Sequence, residues 1–345
     1  MSRATSTAEQ LALNTSPAVN SKVYTSYIPN ADFVPPKDFV FLSSLQEVPI
    51  NPKGPTEIPE KTKRDYAKEE YKYKDFLPHV TLTSEPALSP YKQIDVASRA
   101  DPEKEALFAA IPNRVDMTPN IGTEVRGVQL SQFTAKQKDE LALYAAERGM
   151  VVFRNQDFVD QGIEWVKAFG TYFGRLHAHQ WGPHPEGHPD LDVGYRDSDK
   201  DSYFDNQAEG ALNTVTWHTD ISYEVNPPCT TFLCFLNGPE RGGDTLYANC
   251  MTAYDRLSPP MQQFLEGLSV VHSGTAQSLL AVKTSLPRRP TIDTVHPVVR
   301  KHPVTGRKAL WVNKLHTDRI VGVKKPESDL ILNFLYDHIH RGIDL

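Results

Sequence analysis

Two side chains in the stretch WHTDISYEV, residues 217–225, could do chemistry together: the imidazole of His218 and the carboxylate of Asp220. Trp217, Thr219 and Ile221 fall on one side of a period-two pattern, and His218, Asp220 and Ser222 on the other. Residues i and i+2 of a β-strand share a face, so the pattern predicts a half-buried strand aiming both polar groups at one space. Two readings are open for such a pair. One is a hydrogen-bonded His–Asp couple with a structural role. The other is two of the three ligands of a 2-His-1-carboxylate site, which suits non-haem Fe(II) because it leaves coordination positions open for an organic co-substrate and dioxygen.

Two further His-x-Asp triplets compete with it. His188-Pro189-Asp190 has a proline inside the triplet, which argues against a central strand. His316-Thr317-Asp318 stands in VNKLHTDRIVGV, where polar residues follow one another without alternation. Only the triplet at His218 has the aromatic and β-branched neighbours of a strand. The three cysteines, Cys229, Cys234 and Cys250, lack zinc-site spacing, and Cys234 in the apolar run TTFLCFL reads as a core residue.

The surrounding elements follow from local signals. GTEVRGVQL predicts a short strand, and TAKQKDELALYAAERG a helix with Thr134 and Gln137 as a capping box, Leu141, Tyr144 and Ala145 on its apolar face, and Gly149 as its stop. MVVFRNQ predicts a buried strand and QGIEWVKAFGTYFG a second helix. CTTFLCFLNGPERGGDTLYANC reads as two strands around a Gly-rich turn, and Ser258 with Pro259 opens the helix PPMQQFLEGL. VHPVVRKHPVTGRKALWVN predicts a hairpin turning at Val304 to Gly306, and PESDLILNFLYDHIHRG a late amphipathic helix ended by Gly342. Many short strands and a few helices predict a mainly β fold, a sandwich or jelly roll with flanking helices.

The chain has 345 residues, a net charge of −6, 39% hydrophobic and 23% charged residues. That balance gives no electrostatic reason to expect nucleic acid or an anionic membrane as partner. No stretch approaches the roughly 20 apolar residues of a spanning helix, and the first residues lack the apolar region of a secretory signal. A cytoplasmic location is the expectation, with a homo-oligomer left open. Residues 1–98, rich in proline and carrying the charge run EKTKRDYAKEEYKYKD, are expected to form a partly disordered N-terminal arm. Residues 112–345 are expected to form the folded domain.

From about residue 120 onward the chain resembles the taurine dioxygenase family of Fe(II)/2-oxoglutarate-dependent oxygenases, in particular its fungal sulfonate-dioxygenase-like branch. The resemblance runs in order through GTEVRGVQLSQF, ERGMVVFRNQDF, FGRLHAH, WHTDISYEVNPP, GGDTLYAN, AYDRLSPP, VHPVVRKHPVTGRKALWVN and RIVGV. It implies a double-stranded β-helix (a cupin-like jelly roll), with Fe(II) and, as co-substrates, 2-oxoglutarate and O2. The small anionic substrate would be a sulfonate or similar organic acid, hydroxylated as 2-oxoglutarate is decarboxylated to succinate. Carried onto this sequence, His218 and Asp220 are iron ligands, Thr245 of GGDT bonds a carboxylate of 2-oxoglutarate, and His179 of FGRLHAHQWG contacts the sulfonate. A tyrosine that would make a second sulfonate contact is replaced by Gly182, with Trp181 beside it as a partial filler. His177, His184 and His188 are expected to be structural or exposed. The resemblance puts His296 and His302 in a hairpin upstream of the distal histidine, so neither is expected to bind iron.

In the family that distal histidine, and an arginine for 2-oxoglutarate, follow a Trp-Asp-Asn-Arg-like strand. Beyond the helix PESDLILNFLYDHIHRG this sequence has no such strand. The expectation is therefore a β-helix with its C-terminal strands missing. With it goes an alternative function, a truncated and catalytically inactive relative that keeps only a binding or structural role.

Overall fold

A computed structural model describes residues 70–80, 88–180, 182–195, 217–275, 277, 289 and 291–342. Helices form where the sequence carries its own start and stop signals. In α2 (Ala135–Arg148) the Thr134 hydroxyl accepts from the Gln137 amide while the Gln137 side chain accepts from the Thr134 amide at 2.8 Å, and Gly149 ends the helix at φ 73°. Before it come α1 (Glu105–Ala110), β1 (Arg114–Asp116) and β2 (Thr123–Val125). The helix α2 is the crossover that lets β3 (Val151–Phe153) run parallel to β2, while β1 pairs with β2 antiparallel. All three residues of β3 are half-buried, not buried as expected, because β3 is an edge strand of the sheet β1-β2-β3. Helix α3 (Ile163–Phe173) then sets Trp165 and Phe169 edge-on to Phe158, with Phe173 against Phe169, closing a core with Leu107, Ile111 and Val125.

A second core lies under α4 (Cys250–Asp255), α5 (Pro259–Glu266) and α6 (Lys325–His340). Its sheet places β4 (Ser269–Ser273) between β5 (Asp293–Pro297) and β8 (Thr317–Ile320), both antiparallel to it. The hairpin of β6 (Val299–Lys301) and β7 (Lys308–Leu310) turns through Gly306 at φ 69°. Leu265, Val270, Val298, Leu310, Ile320 and Leu335 fill the space between sheet and helices. The architecture is thus short sheets with helices packed outside them.

Three strand expectations fail. Residues 217–225 form no strand, and neither do the two segments expected in 229–250. A strand needs a ladder partner for its backbone groups, and no described residue pairs with these stretches. Cys234 is exposed, with Phe232, Leu233, Phe235, Leu246 and Tyr247. Conversely Thr317–Ile320, which shows no alternation, becomes strand β8 by pairing with β4.

Residues 1–69 and 81–87 of the expected N-terminal arm lie outside the described residues. The described part is docked: the Tyr91 amide donates to Asn226 Oδ1 at 3.1 Å, and Val96 and Ala97 are buried.

Three histidines of the second core, His272, His296 and His316, are at most 2% exposed. Burial pushes His272 down to about 3 and His316 to about 4, and holds His296 well below the ordinary imidazole range. Below about pH 6.5 the unfolded chain protonates these rings while the folded chain keeps them neutral. Stability should therefore fall as pH drops from about 6.5 towards 4, by about 1.4 kcal/mol per pH unit for each ring that stays neutral. Urea titrations at a series of pH values measure this. A His272→Phe variant that folds should lose part of the slope, and an unchanged slope would show that the ring is protonated in the fold.

Candidate metal and co-substrate site

The segment bearing His218 and Asp220 is anchored from below. Trp217 and Thr219 are half-buried and His218 and Asp220 exposed, so the expected alternation holds to residue 220; residues 221–225 are then all buried. The chain reverses here, with Ile221 at φ 41° and the Glu224 amide donating to the Ile221 carbonyl at 3.0 Å. A positive φ is costly for a β-branched residue, so the surroundings must impose it. Trp311's carbonyl can only accept, at 3.1 Å from His272 Nε2, which assigns the ring hydrogen to that nitrogen. His272 Nδ1 then accepts from the Ser222 hydroxyl at 2.8 Å, and Ser222 Oγ accepts from Asn313 Nδ2 at 3.0 Å. Tyr223 packs edge-on against His316, ring centroids 4.9 Å apart.

On the outer side of this anchor His218 Nε2 lies 3.3 Å from Asp220 Oδ1, with the side chains 43% and 51% exposed. Asp220 Oδ2 accepts from Thr231 Oγ1 at 3.0 Å. The hydrogen bond with His218 is the largest cause holding the Asp220 carboxyl below its ordinary range; burial opposes it, and Thr231 and the fields of His218 and His179 assist. Two donors each roughly 2.1 Å from one first-row ion and at right angles would stand about 3 Å apart. The pair therefore has the donor types and the separation for two adjacent ligand positions, on a turn and not on a strand. Among the described residues no group of three or more His, Cys, Asp or Glu is placed to hold a metal ion.

His179 is half-buried, its ring 6.1 Å from that of His177, and its charge is felt at Asp220. The structure thus brings His218, Asp220 and His179 into one region. Thr245 is exposed in an irregular run shared with Tyr247, whose phenol is pushed up by burial and by the Asp220 charge. Trp181 lies outside the described residues. His188 sits at the surface beside Lys167, which pairs with Asp190 at 3.1 Å. His296 faces the core, with Nε2 3.2 Å from the Glu224 carbonyl.

Sequence reasoning missed two neighbours of the pair. The His316 ring is buried and has no hydrogen-bond partner on either nitrogen, and the His218 and Asp220 charges both act on it. Its triplet lacks alternation, a local signal blind to the pairing of β8. Glu224 and Arg289 form a buried ion pair 2.8 Å long, both side chains 1% exposed, behind His177. No local pattern joins two residues 65 positions apart.

The chain is similar to several known proteins. The family model described as taurine catabolism dioxygenase TauD, TfdA family matches residues 113–343. An alpha-ketoglutarate-dependent sulfonate dioxygenase of Saccharomyces cerevisiae is 40% identical over 291 residues, 83% of this chain and 70% of the relative. An alpha-ketoglutarate-dependent dioxygenase of Penicillium expansum is 42% identical over 278 residues, 79% of this chain and 77% of the relative. A crystal structure provisionally described as an alpha-ketoglutarate-dependent taurine dioxygenase from Burkholderia xenovorans superimposes with a TM-score of 0.50 at 30% identity, covering 67% of this chain and 76% of that one.

The coupling between His218 and Asp220 can be measured directly. His218→Ala should raise the Asp220 midpoint towards the ordinary value of about 3.9, and Thr231→Val should raise it less. Carboxyl-carbon NMR titrations report both shifts. An Asp220 midpoint unmoved by His218→Ala would show that the two groups do not act as a pair.

Proposed function

The chain belongs to the taurine catabolism dioxygenase TauD, TfdA family, an Fe(II)- and 2-oxoglutarate-dependent dioxygenase by that membership, and on this premise we propose that it hydroxylates a sulfonate or similar small organic acid. In this reading the domain of residues 112–345 is a double-stranded β-helix. His218 and Asp220 are iron ligands, Thr245 holds a 2-oxoglutarate carboxylate, and His179 contacts the substrate anion. The observation that carries the reading is the 3.3 Å separation of His218 Nε2 and Asp220 Oδ1, with His179 close enough to lower the same carboxyl. The name of the yeast relative supports a sulfonate in particular. Among the described residues no helix is long and apolar enough to cross a membrane.

Bound between these side chains, Fe(II) with 2-oxoglutarate supplies oxidative decarboxylation to succinate coupled to hydroxylation of the substrate carbon. The protein's part is positional. Thr231 holds Asp220 Oδ2, which leaves Oδ1 oriented towards His218 Nε2. The His179 ring presents an N–H to a sulfonate oxygen from within reach of that carboxylate. A sulfonate hydroxylated on the carbon bearing sulfur loses sulfite and leaves an aldehyde.

Gly182 shapes substrate choice. It sits at φ 106°, and a Cβ there would stand 3.1 Å from Asp192 Oδ1. No tyrosine hydroxyl is available from this position, so a small sulfonate forfeits one donor, about 0.5–3 kcal/mol across neutral and charged hydrogen bonds. A larger acid, whose apolar contacts offset the lost donor, is the better substrate in this reading.

Two measurements test the reading. His218→Ala and Asp220→Ala should each cut Fe(II)-dependent succinate formation by more than about 100-fold, beyond what losing a supporting group costs, whereas His188→Ala should leave it within about twofold. Undiminished succinate from His218→Ala would sink the ligand assignment. In competition assays longer alkyl sulfonates should outcompete taurine, and a preference for taurine over every bulkier acid would overturn the role given to Gly182.

A further inference from the structure

The carbonyls on both sides of His179 accept from one residue. Arg289 Nη2 donates to the Ala178 carbonyl at 2.7 Å, and the Arg289 amide donates to the Gln180 carbonyl at 3.3 Å. The same Nη2 donates to Glu224 Oε1 at 2.8 Å. Its two hydrogens are then committed, so His177 Nε2, 3.1 Å from Glu224 Oε1, carries its own hydrogen and donates it to the carboxylate. Glu224 belongs to the buried turn that follows Asp220, and its carbonyl accepts from His296 Nε2 at 3.2 Å. Arg289 and Glu224 therefore fasten the His179 segment, through His177 and Ala178 before it and Gln180 after it, to the turn that carries His218 and Asp220.

Stability alone is a poor reason for this pair. Arg289 Nε and Nη1 and Glu224 Oε2 are buried without a hydrogen-bond partner, so both charges are taken out of water and only part of their bonding capacity is used. Apolar residues of similar volume often replace such pairs at no loss of stability. What apolar side chains cannot do is hold the Ala178 carbonyl and the His177 ring at fixed points.

We propose that Glu224 and Arg289 are positioning residues that set His179 against the His218–Asp220 pair, and so set the sulfonate against the iron. The second half of that statement rests on His179 being the sulfonate contact; the clamp itself does not. Both side chains are buried away from any substrate, so the effect should fall on substrate placement and spare co-substrate binding. Small displacements of a positioning group are enough to change turnover strongly.

The test uses the full chain loaded with Fe(II) and 2-oxoglutarate, with hexane-1-sulfonate as probe. Glu224→Leu combined with Arg289→Met removes both charges together and leaves none buried unpaired, which favours a folded variant. Carbon–proton NMR of the histidine rings should show the His179 signal shifted or broadened in this variant, with the His272 signal unmoved. The KM for hexane-1-sulfonate should rise about tenfold while that for 2-oxoglutarate stays within about twofold. Adding His179→Ala to the variant should raise the sulfonate KM no further than His179→Ala does alone. A His179 signal identical to wild type would overturn the clamp, and so would an undisturbed sulfonate KM where His179→Ala itself raises it. If His179→Ala leaves that KM unchanged, the sulfonate contact is refuted, and the ring signal still decides whether the clamp exists.

Discussion

The turn at residues 221–225 rests on one buried chain of hydrogen bonds, and the position of the candidate site depends on it. Asn313 donates to Ser222, Ser222 to His272, and His272 to the Trp311 carbonyl, so each group polarises the next in a region closed to water. Ser222 is fully buried, so a missing partner would leave a desolvated hydroxyl costing about 1–3 kcal/mol. That penalty is comparable with the strain of holding Ile221 at φ 41°, and the fold tolerates the second to avoid the first. With Ile221 through Val225 drawn into the core, the preceding His218 and Asp220 are left on the open side.

Desolvation divides the histidines into two classes. His272, His296 and His316 are buried and kept neutral, which makes them hydrogen-bonding and packing groups. His218 and His179 are more exposed and act on Asp220 as positive charges that favour its ionised form. His316 lies at the boundary. The His218 charge helps to push its pKa down while Asp220 pulls it up, and burial outweighs both. A neutral His316 beneath the pair leaves the Asp220 charge to be balanced from the outer side.

How much of this is legible in the sequence depends on whether the deciding interaction is local. The capping box at Thr134, the stop at Gly149 and the Pro259 start of α5 lie within a few residues of the elements they define, and each element forms where expected. Strands depend on partners far along the chain. Thr317–Ile320 becomes a strand without alternation because β4 is there to pair with it, while residues 217–225 alternate well and form a turn. The His218–Asp220 contact was nonetheless legible, since exposure alternates through residues 217–220 and leaves i and i+2 on one side as they would be in a strand. Glu224 and Arg289 were not, because their meaning exists only once the fold joins them.

The turn geometry also ties ion binding to protonation. His218 Nε2 is the nitrogen facing Asp220, and it can donate a hydrogen to that carboxylate or offer its lone pair to an ion, but not both. If His218 is an iron ligand through Nε2, as proposed, its ring hydrogen would stand on Nδ1. Asp220 needs no such change, because its carboxyl is already held in the ionised form and Thr231 keeps its second oxygen occupied. On that assignment protonation of His218 would oppose ion binding. Thr231 and the buried turn hold the carboxylate in place whether or not an ion is bound in this reading.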